Sequence, residues 1–250
     1  MMNIFLPKGG FFDFKDKAQI NLEIKSFLRR EQLKYFIDLP ENSQPINLKI
    51  SGSGTPNNFN FSNIEVEQEV IKLSAKLFIK EALSLTPMKA RLEIDDFKII
   101  NSKLTEIVPI NYTHRIPIQI LNYDPFEGRG TFFLENNQLK TDMELTSSNM
   151  SLVNQSNFFI EQDQNQFKLL AFEGSFDVSK LDLSPLNSDL GNVSLKFLFS
   201  ADRVERNYFN FDYDLDIYKI GFYNKSFKNL KLKGDLKKGK LNAVINITTK

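Results

Sequence analysis

The sequence has no cysteine, no tryptophan and a single histidine. Without cysteine the chain forms no disulfide and offers neither a thiolate metal site nor a thiol nucleophile. His114 has no second His or Cys with which to build a metal site, so we expect it to be an ordinary surface or loop residue. No apolar run approaches the roughly 20 residues that a membrane-spanning helix requires.

The net charge is close to zero, because the 32 basic and 31 acidic residues give a formal charge of +1. Such a balance predicts no nucleic-acid partner. Residues 225–240 are a local exception with seven lysines. We interpret them as the solvated face of strands, where lysines also discourage edge-to-edge aggregation, and keep contact with an anionic lipid as the second interpretation.

Acidic residues also fail to form a recognisable site. Asp212, Asp214 and Asp216 would need Gly and Glu at the sixth and twelfth positions of a calcium loop, where the chain has Ile217 and Tyr223. We therefore expect a solvated strand face. The pair at 95–96 is predicted to be a turn without a partner. We predict no enzyme activity, catalytic residue, metal or cofactor.

What the sequence does have is apolar residues in alternation with polar ones, including 24 Phe. Four such runs lie in 181–247, and a period of two places each apolar set on one face of a strand. We predict that one apolar surface is lined by Leu195, Phe197, Phe199, Phe209, Phe211, Tyr213, Leu215, Ile217, Leu230, Leu232, Leu241, Ile245 and Ile247. Turns are predicted at 189–192 and 237–239.

The remaining chain predicts about fourteen strands with one or two short helices. Residues 66–85 are rich in helix formers, but the alternation continues through 88–94, so we predict strands there. The best helix candidate is 101–109, where Asn101 or Ser102 would cap the N-terminus and Pro109 would end it. A turn is predicted at 135–137 between two strands of a hairpin.

The predicted fold class is all-β, but alternation alone leaves the architecture open. A sandwich or barrel would bury the apolar faces in a closed core. An antiparallel-rich array that curls into an elongated groove would instead leave a long apolar trough suited to acyl chains. On the pattern alone the closed core is the stronger alternative, and it would make the chain a non-enzymatic binding or adhesion module.

Two segments carry a resemblance to a known family. Residues 181–247 resemble the repeat of TamB/AsmA-like proteins of the Bacteroidetes type, in the order and spacing of Leu183, Ser184, Pro185, Leu186, Leu190, Gly191, Asn192, Val193, Leu230, Leu232, Gly234, Gly239 and Leu241. Residues 90–150 resemble it again, through a strand, a short helix ending at Pro109, and alternation at Ile116, Ile118 and Ile120.

The resemblance implies a curled β-groove, or β-taco, running through 1–250 as one continuous segment. Repeat units are expected at about 1–100, 101–175 and 176–250. It also implies a periplasmic location in a Gram-negative envelope, with lipid carried between the inner and outer membranes or outer-membrane protein assembly assisted. The implied partners are phospholipid, an Omp85-type outer-membrane protein and the inner membrane, reached through an anchor outside this chain.

Overall fold

A computed structural model describes residues 2–5, 11–33, 40–41, 43–84, 87–108, 125–163, 166–202, 210–223, 225–237 and 240–247. Strands dominate these residues. In chain order they are β1 Met2–Phe5, β2 Gln19–Leu28, β3 Ile46–Gly54, β4 Phe59–Glu67, β5 Ile71–Lys80, β6 Lys89–Ile99, β7 Phe126–Glu135, β8 Gln138–Ser147, β9 Met150–Asp163, β10 Gln166–Asp182, β11 Leu190–Asp202, β12 Asn210–Phe222, β13 Lys225–Lys237 and β14 Lys240–Ile247.

The strands form one antiparallel sheet whose spatial order is the chain order, with β1 and β14 at its open edges. The all-β prediction, the antiparallel pairing and the strand count are therefore confirmed. The chain divides into two compact units, Met1–Asn136 and Asn137–Lys250, which we describe separately. The repeat boundaries near 100 and 175 stay a prediction.

The sheet does not enclose a core. The buried apolar residues of the described part are Ala18, Val70, Ala75, Val178, Val193 and Ala201, none of them larger than valine. A closed sandwich fills its interior with large side chains from both inner faces. Among the side chains that the structure describes, however, no Phe, Leu, Ile, Met or Tyr is buried. The closed core that alternation favoured is thus not found here.

In the Met1–Asn136 unit, register shifts interrupt the strands in mid-course. One extra residue in β4 falls between Phe61 and Ile64, and one in β6 falls between Ile94 and Phe97. Each shift brings apolar residues of opposite parity onto the same face, because a bulge adds one residue to one strand only. Register shifts therefore occur in every pairing from β3–β4 to β6–β7.

In the Asn137–Lys250 unit the register shifts lie at the borders of a regular patch. They fall in β10 near 170 and 179, at the start of β11 and at 218 in β12. Between these positions, seven strands pair without a shift along residues 195–201 of β11 and their partners. We call this regular patch the β8–β14 ladder.

The helices among the described residues are short: α1 Phe11–Lys17, α2 Arg30–Leu33 and a 3-10 helix at Asn101–Glu106. The last confirms a helix at the best candidate position, but the predicted cap is wrong. Ile100 is the N-cap residue and makes no side-chain capping bond, while Asn101 is completely buried. No described helix has the length and apolar character needed to cross a bilayer.

Of the other predictions, some are confirmed, one is wrong and some concern residues that the structure does not describe. The strand preferred over 66–85 and 88–94 is confirmed for 71–80 in β5 and for 89–94 in β6, whereas 81–84 form a turn. The turn predicted at 135–137 is confirmed at 136–137, with both asparagines at positive φ. The acid pair at 95–96 was placed wrongly, because it lies within β6 and Asp95 pairs with Lys76 at 2.9 Å. His114, the 116–120 alternation and residues 238–239 lie outside the described residues.

Candidate functional site

The candidate site is one face of the β8–β14 ladder, which we call the apolar face. Side chains alternate between faces along each strand, so cross-strand partners at every second position form rows across the sheet. The row through Ala201 contains Leu139, Phe158, Phe172, Ala201, Phe211, Leu236 and Leu241. The row through Phe199 contains Thr141, Ser156, Gly174, Phe199, Tyr213, Gly234 and Ala243.

Two further rows complete this face. The row through Phe197 contains Met143, Asn154, Phe176, Phe197, Leu215, Leu232 and Ile245. The row through Leu195 contains Leu145, Leu152, Val178, Leu195, Ile217, Leu230 and Ile247. None of the four rows contains a charged residue, so the face presents an uninterrupted uncharged surface.

Aromatic rings form the centre of this face. Phe172 lies 6.0 Å from Phe199 and 6.4 Å from Phe211, measured between ring centroids, and Phe176 lies 5.4 Å from Phe199. Phe172 and Phe211 flank Ala201 in the same row, and Ala201 is buried beneath them. The rings therefore contact their neighbours sideways along the sheet and are half-buried, and no second layer formed by described residues covers them.

Glycines allow two of these rings to lie close to the backbone. A Cβ on Gly174 would come within 2.8 Å of Cζ of Phe199, and one on Gly234 within 2.5 Å of Oη of Tyr213. Such a Cβ would also lie 2.6 Å from the carbonyl oxygen of Gln155 at Gly174, or 2.2 Å from that of Asn242 at Gly234, and real Cβ atoms do not approach backbone so closely. Both positions therefore require glycine. The consequence is a low, smooth surface along the row through Phe199.

The segment before β11 forms a compact turn that contains some of the residues on which the predicted resemblance rests. The Leu183 N–H donates to the carbonyl of Gly191, and the Leu186 N–H donates to the carbonyl of Leu183. Gly191 faces Gly221 so closely that a Cβ on Gly221 would lie 3.0 Å from Cα of Gly191. The glycine of the motif thus has a physical reason, because two backbones meet there without room for side chains.

The opposite face of the β8–β14 ladder is polar and carries ion pairs between neighbouring strands. Lys231 approaches Asp216 at 3.0 Å, and Lys233 approaches Asp214 at 3.7 Å. The Asp216 carboxylate raises the pKa of Lys231, first through their hydrogen bond and then through its charge. The predicted solvated face is confirmed, with a cross-strand pairing of Asp and Lys that single-strand alternation did not indicate.

A shallow concavity of about 630 Å³ lies over this polar face. Its walls include Glu173, Asp212 and Asn242. No group of three or more His, Asp or Glu in the described residues could hold a metal ion. We give more weight to the apolar face, because an open trough of ion-paired side chains has a simpler explanation as solvated surface.

The structure brings together nearly all residues that the sequence predicted for the apolar surface. Those from Leu195 to Phe199, from Phe211 to Ile217, and in β13 and β14 all occupy the four rows. Ile247 is placed there by backbone register, and Phe209 lies outside the described residues. Their role in binding lipid stays a prediction.

Sequence reasoning left the contribution of β8–β10 out of the site. Phe158, Phe172 and Phe176 belong to the central aromatic cluster although they come from a different part of the chain. The alternation of Phe172, Phe176 and Val178 could have indicated them, but their register to β11 could not be read from one sequence. Comparison of the chain with protein-family models, curated proteins and solved structures found no match.

Proposed function

We propose that this chain binds the acyl chains of phospholipids along the apolar face of the β8–β14 ladder. The observation that carries the proposal is the combination of four uncharged rows with the absence of any buried large apolar side chain in the described part of the chain. An apolar sheet face is normally covered by a second layer. A face that stays uncovered needs an apolar occupant.

The size of the face suits such an occupant. Seven strands spaced by about 4.8 Å extend about 29 Å across the ladder, and four rows extend about 20 Å along the strands. The resulting surface of roughly 600 Å² lies at the upper end of the range for the largest apolar patch on a soluble protein. Each methylene group buried against it contributes about 0.8 kcal/mol, so one acyl chain supplies substantial binding energy.

The apolar face is also suited to letting an acyl chain move along it, rather than to binding that chain tightly at one place. Its rings lie over Gly174 and Gly234, and its large side chains on the interior strands are half-buried. An acyl chain on such a surface meets neither a charge nor a deep pocket. Its headgroup stays in water, because the face is open on one side.

The wider setting follows from the family resemblance. We propose a TamB/AsmA-like envelope protein, located in the periplasm and anchored to the inner membrane, that carries lipid between membranes beside an Omp85-type partner. Assistance to outer-membrane protein assembly is the related activity. The Gly191–Gly221 contact supports the resemblance, since it gives a motif glycine a structural reason. A chain of this kind acts by binding, not catalysis.

Native mass spectrometry and lipid extraction of the purified chain test the proposal, together with titration of a dansyl-labelled fatty acid. We expect co-purifying phospholipid and saturable binding of the probe. Phe197→Asp places a carboxylate in the centre of the apolar face and should weaken probe binding at least about tenfold, equivalent to about 1.4 kcal/mol. Burying an unpaired charge against an acyl chain opposes binding.

Leu198→Asp is the matched control. Leu198 is the next residue of β11, faces the polar side and is 44% exposed. This variant should bind the probe like the wild type, and circular dichroism of both variants establishes that the strands remain. Absence of lipid and probe from the wild-type chain, or equal binding by the two variants, would overturn the proposal.

A further inference from the structure

Three polar side chains form a small cluster within the apolar face. They are Thr141 on β8 and Asn154 and Ser156 on β9, and we call them the hydroxyl cluster. Thr141 lies directly opposite Ser156, and Asn154 is two residues from Ser156 along the same strand, so all three belong to the apolar face. Buried polar groups normally have hydrogen-bond partners, so the hydrogen bonds of the cluster show which of its groups still requires one.

The hydrogen bonds of the hydroxyl cluster run in one direction and end at Ser156. The Thr141 hydroxyl donates to Oδ1 of Asn154 at 3.2 Å. Nδ2 of Asn154 donates to Oγ of Ser156 at 2.9 Å and to the carbonyl of Ser175 at 3.3 Å, which uses both of its hydrogens. The Ser156 hydroxyl therefore keeps its own hydrogen to donate, and no acceptor for it is found among the described residues.

The Ser156 hydroxyl opens onto the apolar face although the residue is only 5% exposed. A Cβ on Gly174 would point out of this face, and it would lie 2.5 Å from Oγ of Ser156 and 2.8 Å from Cζ of Phe199. The hydroxyl and the ring thus border the space that a side chain on Gly174 would fill. A buried donor without an acceptor destabilises the folded chain, and this space lets an acceptor approach it.

We propose that the Ser156 hydroxyl donates a hydrogen bond to the ester carbonyl oxygen of an acyl lipid bound on the apolar face. The proposal rests on the proposed acyl-chain binding and adds a site for the polar end of that chain. The acceptor must be neutral, because the four rows contain no cation that could compensate a phosphate or a carboxylate. An ester carbonyl is a neutral acceptor, and it is attached directly to the end of the acyl chain.

The position of Ser156 leaves room for the rest of the lipid. From β9 to β14 the apolar face continues over five strand spacings of about 4.8 Å, about 24 Å in all, and the acyl chain can extend across them. The phosphate beyond the ester stays in water on the open side of the face. A single neutral hydrogen bond is weak, so Ser156 favours one position of the lipid without preventing the chain from moving on.

Two lysophosphatidylcholines of equal chain length test the proposal, one with an ester-linked chain and one with an ether-linked chain. They share the headgroup and differ in the carbonyl group. Each is titrated, below its critical micelle concentration, against the dansyl-labelled fatty acid bound to the full chain. We expect the ester to displace the probe at about fivefold lower concentration, as one neutral hydrogen bond predicts. Apolar contact alone would favour the ether, which is the less polar lipid.

Ser156→Ala removes the donor and should bring the ratio of the two displacing concentrations to one or below. Ser200→Ala is the matched control, because Ser200 is exposed on the polar face and should keep the wild-type ratio. Partial unfolding of a variant would weaken both lipids alike, so the ratio separates a lost hydrogen bond from a lost fold.

The outcomes distinguish this site from acyl-chain binding itself. Equal displacement by the two lipids in the wild type would overturn the Ser156 site and leave acyl-chain binding standing. A fivefold ratio that Ser156→Ala retains would do the same. Displacement by neither lipid would overturn both proposals.

Discussion

The two units build their apolar faces in different ways. In Met1–Asn136, extra residues in the middle of β4 and β6 reset the side-chain parity so that apolar residues on both sides of each bulge share a face. In Asn137–Lys250 the extra residues border the ladder, and its interior keeps one register across seven strands. A bulged strand bends and twists more than a regular one, so regular rows mark the part of the chain suited to an extended ligand.

The units also differ in what holds their loops. Asn57 is a buried hub of the first unit: its Nδ2 donates to Asp16 at 2.8 Å, and its Oδ1 accepts from the Leu83 N–H and the Ser84 hydroxyl, each at 3.0 Å. It therefore joins α1 to two loops through one side chain. The second unit relies on aromatic contacts within the sheet. Side-chain hydrogen bonds hold the loops in the first unit, whereas contacts between aromatic rings hold neighbouring strands in the second.

Two single-residue deletions test this difference between the units, and we expect them to have the largest effects on the free energy of unfolding. Deleting Asp95 makes the pairing of β6 regular with both β5 and β7, and still keeps Ile94 and Phe97 on one face. Deleting Leu198 instead makes Phe197 and Phe199 adjacent, which sends one of them to the polar face. We expect a loss of about 1 kcal/mol or less for the first deletion and about 4 kcal/mol or more for the second.

Urea unfolding followed by circular dichroism measures both free energies of unfolding. The small loss expected for the Asp95 deletion includes the exposed ion pair to Lys76, which contributes little. Lys76→Ala serves as its control, because that variant removes the ion pair without changing the register. Equal damage from the two deletions would mean that the bulge itself stabilises the first unit.

The face on which each side chain of a strand lies could largely be predicted from the sequence. Alternation predicted the strands, and the parity change from Ile94 to Phe97 also contained the bulge of β6, although we interpreted Asp95 and Asp96 as a turn. The capping prediction failed because Asn101 is drawn into a buried position instead of forming a cap.

Contacts between residues far apart in the chain could not be predicted from the sequence. The register that places Phe172 beside Phe199 depends on pairings between separate strands, and the contacts of Asn57 join residues 26 and 41 positions apart along the chain. Local patterns define which face of a strand is apolar. They do not define which strands share that face without a shift, and this is the property that distinguishes the candidate site.

The hub in the first unit provides the second prediction. Asn57→Ala removes three hydrogen bonds and leaves the part-buried backbone N–H of Leu83 without its acceptor, so we expect a loss of about 2 kcal/mol in unfolding free energy. Asn58→Ala is the matched control, since Asn58 is exposed and its side chain makes one long bond of 3.3 Å to the Glu81 N–H. Urea unfolding of both variants measures the difference. Equal losses would show that the loops do not depend on the hub.

The smallest expected effect is a pH dependence on the polar face of the first unit. Hydrogen bonds from Lys49 and Asn63, and then the charge of Lys49, hold the pKa of Glu65 below its ordinary value of 4.5. A carboxyl whose pKa is lowered by folding stabilises the folded state above the unfolded pKa and loses that contribution as pH falls through the folded pKa. Glu65→Gln should therefore lower stability slightly at pH 7 and flatten its decline below pH 4.5.

Urea midpoints between pH 7 and 3 measure the slope, with Glu67→Gln on the same strand as control. A slope unchanged by Glu65→Gln would show that the pair with Lys49 is not maintained in solution, as is common for exposed ion pairs.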